Sequence, residues 1–215
     1  MALNSGPYQL LPTSRGDLVE LPLWCLKPTQ LCLGLAEVEA RTSDFRLESP
    51  QSRRRYLRNR PVPIAISSAG EHWMIDRHHR LRALLEVDPQ ATVFCSVVLE
   101  LKGASQAHCL DELNRRGWLY LLDQDGRGPY PPEHLPSSLV ELQDDPYRSL
   151  VWKLKQEGLI RPQPAVPFLE FHWGAWLRRQ ALPLFSSRDL EPALERARIL
   201  VRNRGGAGIP GPGWF

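Results

Sequence analysis

Trp73-Met74-Ile75-Asp76-Arg77-His78-His79-Arg80-Leu81-Arg82-Ala83-Leu84-Leu85 decides the fold. An apolar, strand-like run ends at a carboxylate. Two imidazoles and a guanidinium follow at once, and then the apolar spacing of a helix begins. A strand that turns directly into a helix leaves the first-turn N–H groups without intrahelical partners and aims them at one spot, which attracts anions. Basic side chains in that turn oppose the helix dipole. An anion seated over the amides offsets the conflict, so the stretch reads as a phosphate-binding strand-to-helix corner. The plainer alternative is a surface histidine pair followed by solvated arginines. Crowding Asp, His, His and Arg into five residues at a strand end weighs toward the site.

Outward from the corner, Pro63-Ile64-Ala65-Ile66-Ser67 and His72-Trp73-Met74-Ile75 flank Ser68-Ala69-Gly70-Glu71 and read as a β-hairpin. The helix after the corner runs from about 78 to 86, and Thr92 to Leu101 is a β-branched strand. Ser105 is an N-cap for a helix ending at Gly117. Upstream, Leu21–Leu26 is a strand candidate, Lys27-Pro28-Thr29-Gln30 a turn, and 35 to about 42 a helix carrying Glu37. Arginines crowd residues 45–60, as a solvated helix or a face toward nucleic acid.

The second half is helical. Asp145-Pro146 is a cap and first-turn pair for a helix stopped by Gly158. Phe168, Phe171, Ala175 and Trp176 fall at helical spacing and read as core, and a last helix spans about 189–201. Asp123–Pro129 is a loop without the later acidic ligands of a calcium site. The expected division is an irregular 1–20, an α/β core at 21–122, a helical subdomain at 123–204 and a Gly/Pro-rich tail at 205–215. The class is α+β.

Composition sets the frame. At 215 residues the chain can bury a real core. A net charge of +3 is too weak to argue nucleic-acid binding by itself. Cys25, Cys32, Cys95 and Cys109 share no metal or disulfide spacing. No leader pattern and no apolar run of about 18 residues is present. A cytoplasmic setting without membrane contact is expected. The oligomeric state is not legible.

Lys27-Pro28-Thr29-Gln30, Gly34, Glu37-Val38, Ile75-Asp76-x-His78-His79 and Ala83-Leu84 resemble the ParB-like nuclease family of the ParB/sulfiredoxin superfamily. So do Asp144-Asp145-Pro146-Tyr147-Arg148-Ser149-Leu150, Pro167-Phe168-x-Glu170-Phe171-x-Trp173 and Pro212-Gly213-Trp214. The resemblance covers about residues 20–215. It implies a ParB/sulfiredoxin-like small mixed sheet with helices, whose strand-to-helix corner grips nucleotide phosphates or nucleic-acid backbone. Serine-kinase-like members carry Asp-Gly-His-His-Arg there, and Arg77 stands at that glycine. Sulfiredoxin-like members carry Gly-Cys-His-Arg, and His78 stands at that cysteine, so sulfinic-acid reduction through it is not expected. The Gly-Glu-Arg-Arg helix start and the helix-turn-helix reader of chromosome-partitioning members are missing.

Roles follow from side-chain chemistry. His78, His79, Asp76 and Glu37 are the candidate catalytic groups, with a histidine as acid or base and Glu37 as a remote base. Arg80, Arg77, Thr29 and Gln30 are candidates for holding phosphate or nucleotide. Asp144, Arg148 and Glu170 are candidate wall residues; Arg148, one turn from Asp144, also fits an ordinary surface ion pair. Asp76 is the candidate ligand for Mg²⁺ accompanying a nucleotide. Three readings stay open: a phosphoryl-chemistry enzyme of nuclease or kinase type, a non-catalytic nucleotide- or DNA-binding module, and a structural or interaction protein that keeps the fold without the chemistry.

Overall fold

The computed structural model describes residues 9, 11–12, 18–101, 106–163, 166 and 168–204. Most of the N-terminal segment, Ser105, Pro167 and the tail with Pro212-Gly213-Trp214 lie outside the described residues.

Five strands form a mixed sheet in the order β1-β6-β4-β5-β2. They are β1 (Leu18–Pro22), β2 (Leu26–Pro28), β4 (Val62–Ile66), β5 (His72–Met74) and β6 (Thr92–Glu100). β4 and β5 pair antiparallel across the expected turn, with Ile64 opposite Met74. β2 then adds to β5 in parallel. The stretch 21–26 is not one strand, as the sequence suggested. A single 3-10 turn at Leu23–Cys25 interrupts it, and β1 starts at Leu18, inside the segment read as irregular. Pro22 has no N–H for a ladder, which suits it to a strand end.

Side chains alternate across the sheet. Ile64 and Met74 enter a core shared with Leu23, Val38, Phe45, Leu57, Leu81 and Leu84. Apart from Leu23 of the 3-10 turn, those partners come from α1 (Leu35–Leu47), α2 (Pro50–Asn59) and α3 (His78–Val87). Ala65 and Trp73 face the other way, onto Cys109, Leu110 and Leu113 of α4 (Gln106–Arg115). α2 holds the arginine-rich stretch; Ser49 caps it by accepting from Ser52 N–H, and Pro50 opens it. Gly117 takes φ 67° just past α4, as a C-terminal glycine does.

The helical half has its own core. Leu150 and Leu154 of α5 (Pro146–Gln156), Trp173 and Leu177 of α6 (Leu169–Arg178), and Leu194 and Ala197 of α7 (Glu191–Arg204) pack together. The halves are stitched where β3 (Cys32–Leu33) runs parallel to β7 (Gln143–Asp144). Gly34, the N-cap of α1, has no side chain to cap with. Asp144 and Ser149 do that work from the other half, accepting from Leu35 N–H at 3.0 Å and Ala36 N–H at 3.1 Å.

Gly34 is required at this junction. A Cβ there would lie 2.6 Å from the Ser149 nitrogen and 2.9 Å from the Arg148 carbonyl carbon. Backbone cannot yield as a side chain tip can, so Gly34→Ala is expected to destabilise by about 2 kcal/mol, the scale of overpacking. Urea unfolding measures it.

Candidate functional site

β5 ends at Met74, and α3 begins at His78 after three intervening residues. The corner therefore exists as the sequence implied. Its N-cap is Arg77, held at φ 79°, ψ 14°, with no side-chain cap and no acidic residue in the first turn. This left-handed conformation favours glycine, the residue that the resemblance to the serine-kinase-like members implies at this position. Arg77→Gly is expected to stabilise the fold by about 0.5–1 kcal/mol, the relief of left-handed strain less the extra chain entropy of glycine. The Asp76–Arg77 ion pair lost with it is exposed and contributes little. Chemical denaturation of the two proteins tests the sign.

A cavity of about 480 Å³ opens over this corner, within the range of small-ligand sites. Of the candidate residues, Gln30, Glu37, Asp76, Arg77, His78, His79, Arg80, Arg148 and Glu170 line it. Arg41, Lys155, Phe168 and Phe171 also line it. Arg41 was legible as the helical neighbour one turn beyond Glu37. Thr29 stands behind the wall, its hydroxyl donating to the Met74 carbonyl at 2.8 Å. Asp144 is away from the cavity, occupied as the cap of α1.

The two histidines diverge from Cα atoms one residue apart, yet both grip the same loop. His78 Nε2 accepts the Thr29 N–H at 3.1 Å, and His79 Nε2 accepts the Gly34 N–H at 2.9 Å. An imidazole nitrogen that accepts cannot carry a proton, so both rings bear their hydrogen on Nδ1. For His79 that nitrogen faces Glu37 at 3.6 Å. Burial pushes both pKa values down, that of His79 to about 4, and nearby Arg148 adds to the effect. Both rings are neutral at pH 7.

Glu37 is ionised. Burial opposes the charge, but His79, Arg41 and Arg148 outweigh it and hold the carboxyl below its usual range. With His79 neutral at pH 7, the Arg41 contribution is the larger: its Nε donates to Glu37 at 2.8 Å.

The charges on the wall do not balance. Glu37 pairs with Arg41, Asp76 with Arg77, and Glu170 with Lys155. Arg80 and Arg148 remain. Each is more than nine-tenths buried, and each has an Nε without a hydrogen-bond partner. Arg148 Nη1 donates to Gln30 Oε1 at 2.8 Å and to the Cys32 carbonyl at 3.1 Å, and its guanidinium lies 4.4 Å from the Phe171 ring. It is not the surface partner of Asp144 that its spacing suggested. Arg80 donates to the Arg60 carbonyl and lies over Tyr56, and burial pushes its pKa down to about 10. Buried guanidinium groups without carboxylates are costly. An anion above the uncapped α3 amides would offset that cost.

Metal chemistry has less support from the donor set. Among the described residues no cluster of three or more His, Cys, Asp or Glu could hold an ion. Asp76 is partly committed to the Arg77 N–H and guanidinium. The four cysteines are free thiols, and burial pushes Cys32 up to about 12, far from reactive. Among the described residues no helix is long and apolar enough to cross a membrane.

Comparison with known proteins agrees with this architecture. No curated protein matches the chain. It is similar to the crystal structure of protein Atu1540 from Agrobacterium tumefaciens, with 26% identity, 93% of this chain and 98% of that chain covered, and a TM-score of 0.77. The family model described as "Putative ParB-like nuclease" matches residues 19–179, a span that holds the corner, Glu37, Arg148 and the aromatic wall. A match over that much of its length, on a mixed α+β fold of the same kind, means that the chain belongs to the ParB-like nuclease family.

Proposed function

We propose that the corner cavity binds a phosphate ester, a nucleotide or a nucleic-acid phosphate, and that the protein carries out phosphoryl chemistry there with Glu37 as proton acceptor. The carrying observation is the pair of buried guanidinium groups, Arg80 and Arg148, left without carboxylates beside an uncapped helix N-terminus. The planar forks suit phosphate oxygens. Glu37, ionised and on the wall, can take a proton from an attacking hydroxyl or water. His78 and His79 hold the Thr29–Gly34 loop in place for the Glu37 helix, and are positioning residues in this reading. Mg²⁺, where a nucleotide brings it, would be held mainly by the phosphates, with Asp76 the nearest protein carboxylate of the corner.

A binding module without turnover is the second reading. It is favoured by the engagement of both imidazoles with backbone amides, which takes each Nε2 away from proton transfer.

A thermal-shift screen of nucleotides and oligonucleotides, with and without Mg²⁺, tests the common ground. Wild type is expected to be stabilised and Arg148→Met is expected to lose at least tenfold in affinity. An absence of any shift would defeat both readings. Glu37→Gln separates them: an enzyme keeps binding and loses turnover by ~10²-fold or more, the scale of one acid–base group.

A further inference from the structure

We infer, resting on the phosphate-ester reading, that a second cavity beside the corner seats a neighbouring phosphodiester, which makes the ligand a single nucleic-acid strand rather than a mononucleotide. This cavity holds about 650 Å³. Tyr56, Asn59 and Arg60, at the end of α2, line one side of it. Pro63 and Ser96, register partners across β4 and β6, line another. Leu11 and Arg77 line this cavity and the corner cavity alike. The two spaces therefore adjoin, with Arg77 at their boundary.

Its charge is one-sided. Among the described residues no aspartate or glutamate lines the second cavity, whereas Arg60 and Arg77 do. Asp76 answers Arg77, but Arg60 has no carboxylate partner among the described residues; its guanidinium lies 5.7 Å from the Tyr56 ring centre. Arg80 stands against the same ring at 5.1 Å and donates to the Arg60 carbonyl at 3.0 Å. A helix C-terminus favours cations nearby. Arg58 in the last turn of α2 and Arg80 on the Arg60 carbonyl already meet that preference, so the Arg60 charge is in excess. Ser96 gives an independent reason. It is more than nine-tenths buried and lines the cavity, and its hydroxyl has no hydrogen-bond partner among the described residues. It can donate to a phosphate oxygen there. Two adjoining basic cavities that share an arginine match a polymer of repeating phosphates, whereas a mononucleotide fills one of them. Guanidinium and hydroxyl contacts to phosphate carry no base information, so little sequence preference is expected.

The probes are thymidine 5′-monophosphate and 5′-phosphorylated single strands of five thymidylates or five uridylates, titrated calorimetrically into the full chain. Wild type is expected to bind at least one strand about tenfold or more tighter than the mononucleotide, and binding of either strand at that level satisfies the inference. Arg60→Gln is expected to lose about tenfold for the strand and to lower its salt slope by about 0.7, the value of one phosphate contact on a single strand. Its mononucleotide affinity should stay within about twofold, which also shows that the variant is folded and its corner intact. Ser96→Ala breaks no hydrogen bond among the described residues and should weaken the strand alone. Equal wild-type affinity for mononucleotide and strands overturns the second seat and leaves the corner site standing. Equal losses for both ligands in Arg60→Gln, or an unchanged salt slope, also overturn it. Binding of none of the probes removes the second seat together with the corner site.

Discussion

Acidification from pH 6.5 to about 4 is expected to strip at least about 3 kcal/mol from the folding stability, before most carboxylates titrate. His79 has a folded pKa of about 4, against an ordinary value of 6.5, because burial disfavours the imidazolium. In the unfolded chain the ring takes up a proton near pH 6.5. In the folded chain it refuses one until about pH 4. Over that window the unfolded state binds more protons, so stability rises with pH and falls on acidification. At about 1.4 kcal/mol per pH unit, His79 alone contributes roughly 3 kcal/mol. His78 is likewise pushed well below 6.5 by burial and by Arg148, and acts in the same direction. The loss is a large share of the 5–15 kcal/mol typical of a domain. Urea midpoints at half-unit pH steps measure the slope, which should approach two protons. His79→Gln offers an amide oxygen to the Gly34 N–H without titrating, and should reduce the slope by about one proton. A flat wild-type profile between pH 6.5 and 4.5 would contradict neutral, amide-bound imidazoles.

The strand-to-helix corner was readable because it is a local event. Its alternation, its abrupt polar stop and its helical spacing all fall within thirteen residues. The Ser67–Glu71 turn between β4 and β5 and the Asp145-Pro146 start of α5 were local in the same sense, and they were read in place. What the sequence hid is the destination of side chains over long separations. Arg148 at helical distance from Asp144 looks like a surface pair. Only the β3–β7 junction reveals that its guanidinium turns inward to Gln30, more than a hundred residues away. His78 and His79 stand out in the sequence as a pair, but their role as acceptors for Thr29 and Gly34 does not, because an imidazole's partner depends on tertiary contact. The aromatic spacing of 168–176 was resolved as core. Core it is, in two places: Trp173 enters the helical core and Phe171 is buried with Cys32, Tyr120 and Leu122, but Phe171 and Phe168 also line the cavity. Helical spacing gives a face and does not tell whether that face meets other side chains or a cavity.

Removing Arg178 is expected to cost about 3–5 kcal/mol, whereas removing Arg148, the more deeply buried of the two, should cost far less. The difference lies in the partner left behind. Arg178 Nη2 lies 2.6 Å from Asp145 Oδ2, and Asp145 is fully buried. Burial drives the Asp145 carboxyl toward its neutral form, and Arg178 is the main opposing influence. In Arg178→Met the carboxylate stays buried without its counter-charge, the situation that makes half of a broken ion pair so costly. The carboxyl pKa then rises further. Such a group contributes stability below its unfolded value near 3.8 and loses it as pH climbs through the folded value, so the deficit should shrink on acidification. Adding Asp145→Asn should recover at least half of the loss, because the amide can still accept the Tyr147 N–H that caps α5. Arg148 has no such carboxylate. Arg148→Met gives up two hydrogen bonds of about 1 kcal/mol each but also relieves a buried charge, so the net cost should stay within about 2 kcal/mol. Its affinity for phosphate should nevertheless collapse. Equal destabilisation by the two substitutions would mean that Arg148 is compensated within the fold, and the cavity would lose its reason to hold an anion.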